Sequence, residues 1–162
     1  EIGIHASFAS NTNPKNVTIE KQRLERILGT PIVKNRQHFL MLKFPDTYRN
    51  LIVSGITEDY SMGYADQIGF RAGICTPYKF YDIKTEQETQ LTIYPFAVMD
   101  GTLNRYMKLN PQDALRMVKP VIQEIKNVNG DFILPWHNES LSERQEWKGW
   151  KDVYEEIVTL AL

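Results

Sequence analysis

Residues 110–137 read NPQDALRMVKPVIQEIKNVNGDFILPWH, and this stretch decides the fold class because a helix and a strand follow one another within it. Asn110 is a good N-cap, and Pro111 suits the first helical turn, where its missing N–H is no loss. Leu115, Val118, Ile122 and Ile125 recur at three and four before Gly130, which gives a helix one apolar face. Pro120 should bend that helix. Residues 132–134 then form a short apolar strand running into Trp136 and His137.

The pattern repeats outward. On the C-terminal side, Trp147, Trp150, Tyr154, Ile157 and Val158 mark a final amphipathic helix. On the other side, residues 2–4 are an apolar run ending at His5, followed by a Ser-, Asn- and Pro-rich loop. A helix from Thr18 carries Leu24, Ile27 and Leu28 on one face and stops at Gly29. Residues 32–33 begin a second strand that reaches residues 36–38. Pro45 opens a helix with Tyr48, Leu51 and Ile52 inward, Gly55 ends it, and residues 56–60 form a third strand. Residues 61–82 are rich in Gly and aromatics without a clean period, a functional loop leading to a short strand. Residues 90–98 are β-type, with Pro95 arguing for an edge or a break. Strands alternating with helices imply a mostly parallel α/β sheet or barrel, in which chemistry collects at the C-terminal strand ends. All three histidines, His5, His38 and His137, sit at or near such ends.

Composition narrows the function classes. The 162 residues are 42% hydrophobic and 24% charged, enough for one globular domain spanning 1–162. Nineteen Lys and Arg against 20 Asp and Glu leave a net charge of −1 with no basic field, which argues against nucleic acid. No apolar run approaches the ~20 residues of a membrane span. Cys75 is alone, which excludes an internal disulfide and a cysteine-based zinc site. The compartment stays open, a soluble cytoplasmic placement being preferred. The opening EIGIH enters a strand pattern at once, so the chain reads as the C-terminal portion of a longer domain.

Histidine binds divalent metals and titrates near neutrality, so the three could serve as metal ligands or as an acid. Hydrogen bonding in a packed loop is the bland alternative for each. Arg36 could anchor a carboxylate, or form a structural ion pair. Asp59 could hold an imidazole, take part in proton transfer, or cap a strand end. Arg71, between Gly69 and Gly73, lies where backbone can approach a ligand. Tyr60, Tyr64 and Trp136 belong to an aromatic set suited to stacking on sugar rings or to core packing.

Taken in order, IGIHASFAS (2–10), RQHFL (36–40), GITEDYSMGYADQIGFRAG (55–73) and ILPWHNES (133–140) resemble the successive motifs of NodB-like polysaccharide deacetylases, especially an uncharacterised bacterial branch. The resemblance implies a partial, distorted (β/α) barrel with mostly parallel strands and its N-terminal strand or strands missing. It implies hydrolysis of the acetamide of an N-acetylated amino sugar in a glycan at a divalent metal, commonly zinc. By the same resemblance His5 matches the first metal-binding His, His137 the catalytic acid, and Arg36 the arginine that orients the base. Asp59 is placed among the catalytic residues, and Tyr60, Tyr64, Arg71 and Trp136 on the substrate. The second metal His corresponds to Ala9, so His38 or Ser10 would have to substitute. The first-strand Asp pair has no counterpart, which leaves the metal site incomplete and this piece inactive alone. Exposed barrel edges would favour self-association. Two other readings stand beside this one. The first is a non-catalytic carbohydrate-binding relative that has lost the metal. The second is another barrel glycoside hydrolase, for which Asp59, Asp66 and Asp100 would need to face one cleft.

Overall fold

The computed structural model describes residues 1–162 and divides them into two compact units. Unit one comprises Glu1–Met62 and Pro77–Tyr94, and unit two comprises Gly63–Thr76 and Pro95–Leu162.

In unit one, helix α1 (Lys15–Leu28) ends where Gly29 takes φ 69°, its N–H donating to the Glu25 carbonyl at 2.8 Å, as the glycine stop predicted. Helix α2 (Asp46–Val53) buries Tyr48 and Leu51. The strands β1 (Lys34–Asn35), β2 (Glu58–Asp59), β3 (Tyr78–Asp82) and β4 (Gln87–Ile93) form a sheet in the order β1-β2-β4-β3. The pairs β1–β2 and β2–β4 are parallel, and β3–β4 is an antiparallel hairpin. Ile4 adds a parallel bridge to Asn35, which is all that the apolar run at residues 2–4 contributes. β4 stops before Pro95, which has no N–H for the ladder. Arg49 grips Asp82 at the end of β3 with two bonds of 2.7 and 2.6 Å and holds that carboxyl down to about 2.

Side chains alternate cleanly across this sheet. Ile4, Ala6, Asn35, Gln37, Asp59, Ser61, Leu91 and Ile93 are buried, while Lys34, Arg36, Glu58, Tyr60, Thr92 and Tyr94 are half-buried and His5 is exposed. The period of two fixes which residues share a face, so Arg36, Tyr60 and Tyr94 stand on the polar side.

Unit two is built on helices α3 (Pro111–Asn127) and α4 (Trp150–Ala161), preceded by a π-helical turn, Thr102–Tyr106. Asn110 Oδ1 accepts from the Asp113 N–H at 2.9 Å, and α3 continues across Pro120. The core joins Val98, Leu103, Val118, Ile122 and Ile125 to Trp147, Trp150, Val153 and Ile157. Trp147 lies in a short turn before α4 and not in the helix itself. Gly63 packs against the Phe96 ring so closely that a Cβ would overlap it. The strand expected at residues 132–134 does not form. Phe132 and Leu134 pack against the core, but unit two has no strand edge to complete a ladder with them.

The chain is therefore an α/β protein with a four-stranded, mixed, mostly parallel sheet that does not close. No helix is long and apolar enough to cross a membrane.

Candidate functional site

In unit two, Asp100 follows the buried segment 95–99 and has no exposed surface. Its Oδ1 accepts from Gly101 N–H at 2.7 Å and lies 2.7 Å from His137 Nδ1. Its Oδ2 accepts from His137 N–H at 2.7 Å and from the Ser140 hydroxyl. A 3-10 turn, Asn138–Leu141, brings Ser140 back under the histidine, its N–H donating to the His137 carbonyl at 3.1 Å. With Nδ1 committed to the carboxylate, the Nε2 of the 55% exposed His137 side chain is the position left for chemistry. Burial pushes the Asp100 carboxyl up, but the bonds from His137 and Ser140 outweigh it and hold the carboxyl below its ordinary value. The Asp100 bond in turn raises His137 above the usual imidazole value, with Glu139 assisting and Arg105 opposing. Ser140 is buried and donates to Asp100, not to the imidazole, so the trio is no serine nucleophile with its base.

Unit one holds His5, Arg36, His38, Asp59 and Tyr60. Asp59, also without exposed surface, accepts from Asn35 Nδ2 at 2.7 Å, Ser61 Oγ at 2.8 Å and Ser61 N–H at 3.0 Å. It holds an amide and a hydroxyl rather than an imidazole, and burial raises its carboxyl above the ordinary value. Arg36 donates Nε to the Tyr60 carbonyl at 3.2 Å and makes no ion pair; burial lowers it, with Asp59 opposing. Tyr60 is stacked on Tyr94 at 4.6 Å, with Lys34 Nζ 5.8 Å from its centroid. Burial and its bond to Glu58 push the Tyr60 hydroxyl up to about 12. That ring is committed to its neighbours.

His5 and His38 are brought together, their rings stacked at 4.8 Å and 24°. His5 Nδ1 lies 2.8 Å from the Arg36 carbonyl, which can only accept and so sets the tautomer. No group of three or more His, Cys, Asp or Glu side chains could hold a metal ion, and Ala9 adds no donor. Catalytic zinc takes three protein ligands, so this pair does not fit a complete centre.

The remaining expected substrate residues lie in unit two. Arg71 donates to the Gly63 carbonyl at 3.2 Å, and Tyr64 is half-buried. Trp136 packs against Trp150 and Tyr154 at 6.3 and 5.3 Å. Asp100 and Ser140 were missed as partners of His137. The signal for Ser140 was its place three residues after the histidine, one turn away.

No protein-family model matches the chain, and no curated protein matches it in sequence. Among solved structures, a candidate polysaccharide deacetylase from Mycobacterium smegmatis matches with a TM-score of 0.62 and 16% identity, over 98% of this chain and 55% of that one. A candidate polysaccharide deacetylase involved in O-antigen biosynthesis from Bordetella bronchiseptica matches with a TM-score of 0.53 and 14% identity, over 99% of this chain and 62% of that one. The chain thus spans little more than half the length of these proteins, and over that length its fold is similar to theirs, as the motif order implied.

Proposed function

We propose that this chain is part of a carbohydrate N-deacetylase, with His137 as the acid that protonates the departing amine. The observation that carries the reading is the dyad in unit two. A fully buried carboxylate fixes the imidazole through Nδ1, raises its affinity for a proton, and leaves Nε2 outward. Asp100 and Ser140 are positioning residues in this scheme. Arg36, a half-buried cation without a carboxylate partner, is suited to receive an anionic group, and Asp59 ties β1 to β2 beside it. Deacetylases of this kind work with a divalent metal; His5 and His38 would supply part of its ligand set at most.

The test is acetate release from N-acetylated chito-oligosaccharides by the whole deacetylase of which this chain is proposed to be a part. His137→Ala should lower the rate by about 10²–10⁴-fold with folding intact. An unchanged rate in that variant would refute the assignment.

A second reading, a glycan-binding relative without catalysis, is favoured by the incomplete imidazole pair. It predicts saccharide binding with no acetate released by any form. The paired-carboxylate hydrolase finds no support, because Asp59 and Asp100 are both wholly buried and engaged in internal hydrogen bonds.

A further inference from the structure

We propose that Arg105 is a positioning residue for His137: it draws the Glu139 carboxylate into an ion pair and so keeps it off the imidazole. The inference rests on the reading of His137 as an acid, and adds the group that keeps that acid open. Two turns of unit two supply the geometry. Asp100 leads into the π-helical turn Thr102–Tyr106, and His137 leads into the 3-10 turn Asn138–Leu141. Asp100 joins the two at their buried end. At the exposed end, Arg105 Nη2 lies 2.9 Å from Glu139 Oε1 and 3.4 Å from Glu146 Oε1. The π-helical turn is fixed from within: the Met107 N–H donates to the Thr102 carbonyl at 2.9 Å, the Thr102 hydroxyl donates to the Ala65 carbonyl at 2.8 Å, and Leu103 is wholly buried. Arg105 Cζ stands 5.1 Å from the ring centroid of the buried Trp147, and Asn104 donates Nδ2 to the Glu146 carbonyl at 2.7 Å. An isolated surface pair would contribute little, but this guanidinium has a ring against its face and two carboxylates at its edge.

The arrangement matters because of what Glu139 would otherwise do. It follows His137 by two residues, and Asp100 already occupies Nδ1, so the nitrogen open to a second carboxylate is Nε2. A carboxylate bonded there would retain the proton that the acid must give up. Asp100 acts most strongly on the ring; Glu139 also favours its charged form, and Arg105 opposes it. Helix α4 packs on the same turn, and its first turn carries the exposed Lys151 and Asp152, Lys151 being paired with Glu155 at 3.7 Å. Removing Arg105 should therefore act twice in one direction. A cation leaves the neighbourhood of the ring, and a carboxylate is released toward Nε2.

The experiment is an NMR titration of the His137 ring in the native chain, in Arg105→Gln, in Glu139→Gln and in the double variant. Glutamine keeps a planar group over Trp147, and the ion pair is half exposed, so each variant should fold. Arg105→Gln should raise the midpoint by several tenths of a pH unit, and the same change made on top of Glu139→Gln should raise it by much less. An unchanged or lowered midpoint in Arg105→Gln, or a rise as large with Glu139→Gln in place, would overturn the proposal. In the whole deacetylase of which this chain is proposed to be a part, Arg105→Gln should slow acetate release several-fold and the double variant should recover it. Slowing that the second substitution leaves in place would overturn it as well. Midpoints that move as expected while His137→Ala leaves acetate release unchanged would sustain the clamp and remove the acid. Midpoints that stay put while His137→Ala abolishes release would do the reverse.

Discussion

Neither Asp59 nor Asp100 has exposed surface, Asp59 lying the deeper of the two, and the same side chain does opposite things in the two units. Around Asp59 the partners are an amide, a hydroxyl and a backbone N–H, none able to carry charge, so desolvation prevails and the carboxyl is raised. Around Asp100 one partner is an imidazole that can take a proton and reaches solvent, so hydrogen bonding prevails and the carboxyl is lowered. Burial alone therefore does not mark a functional acid. A titratable partner with one nitrogen outside does.

The contrast can be broken or sharpened by substitution. The largest effect is expected from Asp100→Ala, which leaves His137 and Ser140 donors unmet in a buried pocket and should destabilise by about 3–5 kcal/mol in chemical denaturation. Asp100→Asn follows. Either orientation of the new amide sets its NH2 against a backbone N–H, of Gly101 or of His137, at a cost of about 1–3 kcal/mol. Asp59→Asn should differ sharply. The Asn35 amide, whose Oδ1 has no partner, can turn over so that this oxygen accepts from the new NH2, and the loss should stay within about 1 kcal/mol with acetate release unchanged. Equal losses for the two Asn variants would dissolve the distinction. The smallest effect is a gain: Phe39→Gly relieves a left-handed φ and should stabilise by about 1 kcal/mol.

What the sequence revealed follows the range of the interactions concerned. The Gly29 stop, the Asn110 cap and the apolar face of α3 are local, and each is found where periodicity and capping chemistry put it. The Asp100–His137 pair spans 37 residues, and no spacing rule connects them; only the fold of unit two does. Residues 132–134 have a strand's composition, but a strand needs an edge to pair with, and composition cannot supply one. Tyr60 and Trp136 drew attention as aromatics near strand ends, whereas the exposed rings are those of Phe8, Phe39, Phe44, Tyr81 and Tyr106. Exposure depends on what packs nearby, and sequence carries that poorly.

The dyad has a pH signature with a definite sign. His137 is raised in the folded chain, so its contribution to stability is fully present below the ordinary imidazole value, about 6.5, and fades as pH rises through the folded value. The most direct measurement is therefore an NMR titration of the His137 ring in the native chain and in Asp100→Asn. The account predicts a native midpoint above about 6.5 that falls when the carboxylate becomes an amide. A native midpoint at or below that value, unmoved by the substitution, would contradict it.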